Sequence, residues 1–284
     1  MDISGRRIVI TGPTAGIGRS SALYLAGQGA KLVLLCRNLE KGDVLAEEIV
    51  TSGGSKPEVI LMDMADLSSV RKAAELCLAL NEPIDILLNN AGVVNTHRKV
   101  TVDGFEETLA VNHLAPFLLT GLLLPRLLEA PAARIVNVAS DAHRFVKGMG
   151  FDDMQADNGY KTFREYGRSK GANILFTRSL AKRLQQTPIT VNCLHPGAVS
   201  TSLGTQNEGL FSKLLPALLK PFFRSPDQGA ETSLYLCESD AVGGISGAYF
   251  SNCKQVKAKP WVQDEGTADK LWTFSEKATA FSYG

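Results

Sequence analysis

Thr11-Gly12-Pro13-Thr14-Ala15-Gly16-Ile17-Gly18 is the stretch that decides the fold. It follows the apolar run Arg7–Thr11 and opens a segment that we predict to be helical over Ser20–Gly27. Glycines let a backbone approach phosphates closely, and the unpaired N–H groups of a first helical turn attract anions. The stretch therefore predicts a pyrophosphate site with Gly12, Thr14, Gly16, Ile17 and Gly18 as candidate binding residues. Its G-x-x-x-G-x-G spacing differs from G-x-G-x-x-G, so taken alone it equally suits a plain strand-to-helix turn.

Short apolar, β-branched runs alternate with longer segments of helical period from Arg7 to His195, which indicates βαβ units. The predicted strands are Ile8–Thr11, Leu32–Cys36, Val59–Met62, Ile84–Asn89, Arg134–Ala139 and Thr190–His195, with an edge strand near Ala248–Phe250. We expect an α/β protein: one domain over residues 1–284, with a Rossmann-type, doubly wound parallel sheet of about seven strands and helices on both faces. In such sheets ligands bind beyond the carboxyl ends of the strands.

Composition narrows the functional classes. Hydrophobic residues make up 44% of the 284 and charged residues 21%, which is ordinary for a globular protein and excludes disordered and fibrous classes. A formal net charge of +1 gives no reason to expect a nucleic-acid partner or affinity for an anionic membrane. The four histidines lack metal-ligand spacing, so no metal site is expected.

Features of the chain also bear on its compartment. The five cysteines are scattered, with no C-x-x-C pair, and we interpret them as free thiols in a reducing environment. The sequence shows neither a charged leader with an apolar core nor an 18-residue apolar run. These features favour a cytoplasmic protein without a transmembrane segment.

Residues after the second, third and fourth strands indicate which dinucleotide would bind. An acid at the end of the second strand would bind a ribose 2′-hydroxyl, but Arg37 stands there and can pair with a 2′-phosphate. We therefore expect NADP(H) rather than NAD(H), the alternative being that Arg37 is a solvated surface residue. Asp63 is a candidate acceptor for the adenine amine, and Asp66 suits a helix N-cap. Asn90, Ala91 and Gly92 suit a turn beside the adenosine ribose, or a plain strand-ending turn.

Tyr166 and Lys170 are candidates for acid–base chemistry. They lie four residues apart in a segment predicted to be helical to about Leu184, so they share one face. A nearby ammonium favours the phenolate, and we expect it to lower the Tyr166 pKa toward the range useful for proton transfer. Tyr166 would then be the acid in a reduction. The pattern Y-x-x-x-K is common on amphipathic helices, so it gains weight only from the other motifs.

Two further polar residues are predicted near this pair. Ser140 ends the fifth strand, where its hydroxyl could bond a substrate oxygen. Asn112 lies in a helix predicted over Phe105–Leu128, four residues before Pro116, which has no N–H to donate to the Asn112 carbonyl. We expect that carbonyl to bind a water that links Lys170 to solvent; the alternative is a simple helix kink.

Taken together, the motifs resemble those of the short-chain dehydrogenases/reductases over nearly the whole chain. The matching features are T-G-x-x-x-G-I-G, N-N-A-G, the helical Asn112, the strand-ending Ser140, the Tyr166/Lys170 pair and Pro196-Gly197, in family order. The resemblance implies hydride transfer between a nicotinamide and a carbonyl or alcohol carbon. It implies Ser140, Tyr166, Lys170 and Asn112 as the catalytic set, with Lys170 also holding the nicotinamide ribose. It also implies that Pro196, Gly197, Val199 and Thr201 line the nicotinamide.

The chain most resembles the retinol dehydrogenase-like and WW-domain-oxidoreductase-like branch. Cys36-Arg37-Asn38, Ser140-x-x-His143 and Leu271-Trp272-x-x-Ser275 carry this resemblance. Residues 144–163 are expected to form an extra loop near the substrate mouth, and residues 251–284 a C-terminal extension. Many retinol dehydrogenases have an N-terminal membrane anchor, and none is expected here, which weakens retinoid as the natural substrate.

An apolar segment with two prolines, Leu210–Phe223, predicts a substrate lid around residues 203–225 and a lipophilic small-molecule substrate. Alternatives for this segment are a dimer contact, core packing or shallow membrane contact. A homodimer or homotetramer is expected by analogy. The alternative function is a non-catalytic NADP(H)-binding sensor or scaffold.

Overall fold

A computed structural model describes residues 1–199 and 224–283. Over these residues an eight-stranded sheet has the order β3-β2-β1-β4-β5-β6-β7-β8. All neighbouring strands pair in parallel except β7 and β8. The strands are β1 Arg7–Thr11, β2 Lys31–Cys36, β3 Glu58–Leu61, β4 Ile86–Asn89, β5 Arg134–Val138, β6 Thr190–His195, β7 Tyr249–Ser251 and β8 Lys254–Gln255.

The helices cover both faces of the sheet. In chain order they are α1 Gly16–Gly27, α2 Leu39–Thr51, α3 Leu67–Ala79, α4 Glu107–Leu109, α5 Ala115–Leu128, α6 Thr162–Arg183, α7 Pro226–Glu238 and α8 Glu265–Thr279. Successive side chains of β1 point to opposite faces of the sheet. Val9 packs on one face with α3, α5, α6 and α8, and Ile8 and Ile10 pack on the other face with α1, α2 and α7. This two-sided burial is what makes the inner strands uniformly apolar.

The predicted α/β fold with its doubly wound parallel sheet is confirmed, with differences in detail. The edge strand lies one residue later than predicted, at Tyr249–Ser251. The two-residue antiparallel strand Lys254–Gln255 was not predicted, since it is too short to show alternation. The first helix begins at Gly16 rather than Ser20, so two of the three motif glycines belong to its first turn.

The helix predicted over Phe105–Leu128 is interrupted by a π-helical turn, Ala110–Leu114, between α4 and α5. This turn follows from Pro116, which lacks the N–H that would continue the regular α-helical ladder. The whole segment Glu107–Leu128 is long and apolar enough to cross a membrane, which the search for apolar runs missed. Since 83% of its most apolar window is buried inside the protein, it is packed as a core helix.

The segment that joins β5 to α6 contains short helical turns. Residues 141–145 and 151–153 form short 3₁₀ turns, and α6 already begins at Thr162, within the predicted loop 144–163. The predicted lid, residues 203–225, lies outside the described residues except for its last two positions.

Candidate active site

A cavity of about 530 Å³ lies at the carboxyl ends of β1, β2 and β4. Most of the residues predicted to bind a cofactor line it, and so does the tyrosine–lysine pair. These are Gly12, Thr14, Gly16, Ile17, Gly18, Arg37, Asp63, Asn90, Ala91, Gly92, Tyr166, Lys170 and Pro196. The position agrees with the rule that α/β sheets bind ligands beyond their strand ends.

The glycine-rich turn has the shape needed to hold a phosphate-bearing ligand. Gly12 and Gly16 have φ values of 62° and 51°, which side-chain-bearing residues rarely adopt. A Cβ on Gly18 would lie 2.2 Å from the Gly12 carbonyl oxygen and 2.5 Å from Nδ2 of Asn90. The turn is therefore closed tightly on itself, and the first residues of α1, Gly16, Ile17 and Gly18, line the cavity. These residues fit the pyrophosphate of a dinucleotide.

Thr11 and Asn90 fasten this turn to the end of β4. The Thr11 hydroxyl accepts the backbone N–H groups of Asn90 and Ala91, both at 3.0 Å. In return the Asn90 amide donates to the carbonyls of Thr11, at 3.0 Å, and Gly12, at 3.2 Å. The N-N-A-G motif thus shapes the glycine turn as well as lining the cavity. Sequence reasoning missed Thr11, although its place in the motif was visible.

The end of β2 contributes two cations to the cavity. Arg37 and Lys41 both line it, and the Asn38 side chain caps α2 by accepting the Lys41 N–H at 2.8 Å. Lys41 was not among the residues predicted to bind a cofactor. Asp63 also lines the cavity, but its carboxylate already accepts the Ala65 N–H at 2.9 Å.

The predicted N-cap is present on α3. The Asp66 carboxylate accepts from the backbone N–H groups of Ser68 and Ser69, and the Ser68 side chain and these bonds lower the Asp66 pKa.

Ser140, Tyr166 and Lys170 are brought together beside β5. Tyr166 and Lys170 lie on α6, with the ammonium 5.7 Å from the centre of the tyrosine ring. Lys170 Nζ donates to the Val138 carbonyl at 2.9 Å, two residues before Ser140. The Ser140 hydroxyl accepts the Ala142 N–H at 3.1 Å and lies near enough to Tyr166 to lower its pKa. This arrangement can pass a proton between the phenol and an oxygen bound next to Ser140.

The expected effect of Lys170 on Tyr166 was wrong for this structure. Burial raises the pKa of Tyr166 to about 12, and the Ser140 hydrogen bond lowers it only in part. Burial also lowers the pKa of Lys170 to about 8. Desolvation penalises both charged forms, and here it outweighs the attraction between ammonium and phenolate. Near neutral pH the phenol is therefore protonated, which suits a proton donor.

Asn112 reaches the same place from the π-helical turn. Its side-chain oxygen accepts the Val93 N–H at 2.7 Å, and its amide donates to the Val93 carbonyl at 3.0 Å and the Ser169 hydroxyl at 2.9 Å. A Cβ on Gly92 would lie 3.2 Å from both the Asn112 oxygen and Lys170 Nζ. Three predicted residues therefore meet at Gly92, where a side chain would crowd them.

The remaining predicted residues lie around this centre. Among the described residues, Ser140, Asn112, Gly197 and Val199 are not part of the cavity wall, although they adjoin it in sequence or by contact. Thr201 lies outside the described residues. A second cavity of about 630 Å³, lined by the end of α6 and the start of α8, contains none of the predicted residues.

Several cavity residues carry no local signal in the sequence. Glu107, Val111, Met62 and Met64 line the wall, as does the backbone partner of Lys170, Val138. Glu107 accepts from the Asn95 amide at 2.7 Å. Their spacing is that of ordinary helix and strand residues, so only the fold reveals them.

Comparison with known proteins identifies relatives along the full chain. Residues 6–209 match the family model described as short chain dehydrogenase. Retinol dehydrogenase 12 of Mus musculus is 43% identical over 276 residues, covering 97% of this chain and 86% of that protein. Retinol dehydrogenase 14 of Mus musculus is 40% identical over 291 residues, covering 96% and 85%.

Solved structures share the architecture. An uncharacterized protein of Mycobacterium paratuberculosis superimposes with a TM-score of 0.82 at 31% identity, covering 100% of this chain and 96% of that one. A Beutenbergia cavernae protein described as an NAD(P)-dependent gluconate 5-dehydrogenase, solved with NADP, gives a TM-score of 0.71 at 28% identity over 88% and 95% of the two chains.

Proposed function

Because this chain belongs to the short-chain dehydrogenase/reductase family, in its retinol dehydrogenase-like branch, we propose that it uses NADP(H) to interconvert a lipophilic carbonyl compound and its alcohol. It is an oxidoreductase acting on CH–OH groups, and Tyr166 is the proposed acid and base. One observation carries the proposal. Tyr166 and Lys170 line the same cavity as the glycine-rich turn, and the Ser140 side chain lies beside Tyr166.

In reduction, the bound cofactor would supply the hydride to the carbonyl carbon, while the protein supplies the proton. The Ser140 hydroxyl donates a hydrogen bond to the carbonyl oxygen and holds it beside the Tyr166 hydroxyl. Tyr166 then gives its proton to that oxygen as negative charge develops there. In oxidation the same groups act in reverse.

Lys170 has two roles in this proposal. Its ammonium lies 5.7 Å from the Tyr166 ring and stabilises the phenolate left after proton transfer. It would also bind the nicotinamide ribose. Asn112 would complete the path by which a proton from solvent returns to Tyr166 through Lys170 and an ordered water. The Asn112 side-chain oxygen and Lys170 Nζ both lie 3.2 Å from the position that a Cβ on Gly92 would occupy, and this proximity supports the route.

Two features support NADP(H) over NAD(H). Arg37 and Lys41 both reach the cavity at the end of β2, and they provide positive charge for a 2′-phosphate. At the position where an acid would repel that phosphate, this chain has none. The pyrophosphate would be held by Gly12, Thr14, Gly16, Ile17 and Gly18. The adenosine side of the cofactor would contact Asp63, Asn90, Ala91 and Gly92, and the nicotinamide would contact Pro196, Gly197, Val199 and Thr201.

A lipophilic substrate is supported by the sequence and by the relatives' names. The segment Leu210–Phe223 is apolar, and the relatives at about 40% identity are called retinol dehydrogenases. We propose a long-chain or retinal-like aldehyde or ketone.

The test is a substrate panel with purified protein. NADPH or NADH absorbance is followed with retinal, long-chain aldehydes, steroids and quinones, and binding of each cofactor is measured separately. The expected result is turnover of at least one lipophilic carbonyl with NADPH preferred. NADPH binding without turnover of any compound would overturn the catalytic proposal and indicate a sensor.

A further inference from the structure

His143 lies three residues after Ser140 in the 3₁₀ turn 141–145 and is fully buried. Its ring Nδ1 is 2.7 Å from the Ser140 carbonyl oxygen, which also receives the His143 backbone N–H at 3.3 Å. A carbonyl that accepts two hydrogen bonds is held firmly in orientation. The side chain of His143 is therefore hydrogen-bonded to the backbone of Ser140, the residue whose hydroxyl lies beside Tyr166.

The hydrogen bond at the other ring nitrogen, Nε2, shows which tautomer of His143 is present. Nε2 of His143 accepts the backbone N–H of Lys259 at 3.3 Å, so it carries no proton, and Nδ1 is the donor to Ser140. Burial lowers the pKa of His143, which keeps the ring neutral. Asp141, Arg144 and Lys259 are the charged groups around it, and Tyr249 packs edge-on at 5.3 Å between ring centroids.

Lys259 belongs to a segment that also contains Trp261, and Trp261 contacts both His143 and Gly171. The Trp261 indole N–H donates to the His143 carbonyl at 3.2 Å. On its other side the indole covers Gly171, the residue after Lys170, where a Cβ would lie 2.1 Å from the ring. The same indole thus packs between the turn that carries Ser140 and the helix that carries Lys170.

We propose that His143 is a positioning residue for Ser140: its ring, held by the Lys259–Trp261 segment, fixes the serine turn so that the hydroxyl faces Tyr166. This rests on the proposed function. The Ser140 hydroxyl accepts the Ala142 N–H within the same turn, which leaves its own proton to be donated toward the reaction. A turn free to rotate would misdirect that proton, and small errors of placement slow catalysis strongly.

Two matched variants test separately the hydrogen bonds that the two ring nitrogens of His143 make. In His143→Asn the amide can occupy the Nδ1 position and still donate to Ser140; in His143→Gln it can reach only the Nε2 position beside Lys259. We expect His143→Gln to lower kcat about tenfold, the value of one net hydrogen bond, with the NADPH dissociation constant and KM nearly unchanged. His143→Asn should keep kcat within about threefold of wild type. Equal losses in both variants, or full activity of the glutamine variant, would overturn the proposal.

A double-mutant cycle tests whether His143 acts through Ser140. In the Ser140→Ala background, His143→Gln should cause no further loss of kcat, because the hydroxyl that it positions is gone. Additive losses would mean that His143 contributes in some other way. Thermal melting of each variant shows whether lost activity merely follows lost stability.

NMR keeps this inference distinct from the proposed function. The His143 ring should show a protonated Nδ1 and an unprotonated Nε2, and the amide signals of Ser140 and Ala142 should move in His143→Gln but not in His143→Asn. Absence of turnover in the wild type would refute the proposed function alone. A protonated Nε2, or unmoved Ser140 and Ala142 signals, would refute the positioning role whether or not the protein turns over substrate.

Discussion

Tyr166 and Lys170 show how burial shifts the pKa values of two neighbouring groups. Both pKa values move toward the neutral forms, Tyr166 to about 12 and Lys170 to about 8. A phenol that keeps its proton at neutral pH is ready to donate, whereas acceptance of a proton needs the phenolate. Protonated Tyr166 is therefore the form present at neutral pH, and it is the form that the proposed reduction requires.

Replacing Tyr166 by Phe should lower kcat for carbonyl reduction by roughly 10²–10⁴-fold, because the proton donor is removed. NADPH affinity, measured by fluorescence titration, should stay within about threefold, since the ring remains. Tyr160→Phe is the control: that hydroxyl is also partly buried and bonds to Thr108, but it does not line the cavity. Retained turnover in Tyr166→Phe would remove the mechanism.

Charge at Arg37 should set the cofactor preference. Arg37→Asp replaces the proposed partner of the 2′-phosphate by a repelling carboxylate that can bind a ribose hydroxyl. We expect NADPH affinity to fall about 10–100-fold, from the loss of a charged hydrogen bond, while NADH affinity rises. Arg37→Gln, which removes charge without repulsion, should give a smaller loss. Calorimetric titration of both cofactors measures this, and an unchanged NADPH-to-NADH ratio would contradict it.

At the scale of helices and strands, sequence pattern located nearly every element of the sheet. Strands β1 to β6 appear within two residues of the predicted positions, because apolar runs and flanking turns are local signals. The π-helical turn was not predicted: Pro116 shows that one hydrogen bond is missing, but not how the helix adjusts. The Lys259–His143 and Trp261–Gly171 contacts join distant segments and have no periodic signal at all.

The C-terminal helix α8 should contribute strongly to stability through Trp272. Its indole is 5% exposed, stacks under Arg183 at 3.8 Å and lies 4.7 Å from Tyr283 and 5.1 Å from Phe117 between ring centroids. Trp272→Ala should lower the free energy of unfolding by about 3–5 kcal/mol through the cavity that it leaves. Urea denaturation measures the change.

Leu76→Ala serves as the control for that measurement. Leu76 is 54% exposed on α3, so its truncation should change the free energy of unfolding by less than about 0.5 kcal/mol. Equal effects of the two substitutions would show that α8 is not packed as described.

For the molecule as a whole, buried thiols should make stability depend on alkaline pH. Burial raises the pKa of Cys77, Cys193 and Cys237 from 9.0 to about 12. Above pH 9 the unfolded chain ionises these thiols while the folded one does not, so their contribution is present below pH 9 and is lost as pH rises toward 12. Each thiol should then lower the free energy of unfolding by roughly 1.4 kcal/mol per pH unit.

Urea denaturation in reducing buffer at pH 8, 9 and 10 checks this dependence. Lys170, with its pKa lowered from 10.5 to about 8, acts in the opposite sense and stabilises the fold as pH rises from 8 to 10.5. Three thiols outweigh one lysine above pH 9. Cys237→Ala should reduce the alkaline slope, and a flat profile from pH 8 to 10 would contradict the assignment of these buried groups.

The position of Trp261 and Trp272 along the chain has a consequence for biosynthesis. Both residues follow every described strand in sequence, so they emerge from the ribosome after the sheet and the serine and lysine segments are already outside. A chain truncated after residue 256 would retain every described strand and the residues of the nucleotide cleft, but it would lack the indoles that pack behind the serine turn and over Phe117 and Phe176. Such an intermediate would expose the apolar surface that the two indoles cover in the complete fold, and exposed surface of this kind makes incomplete chains prone to aggregation.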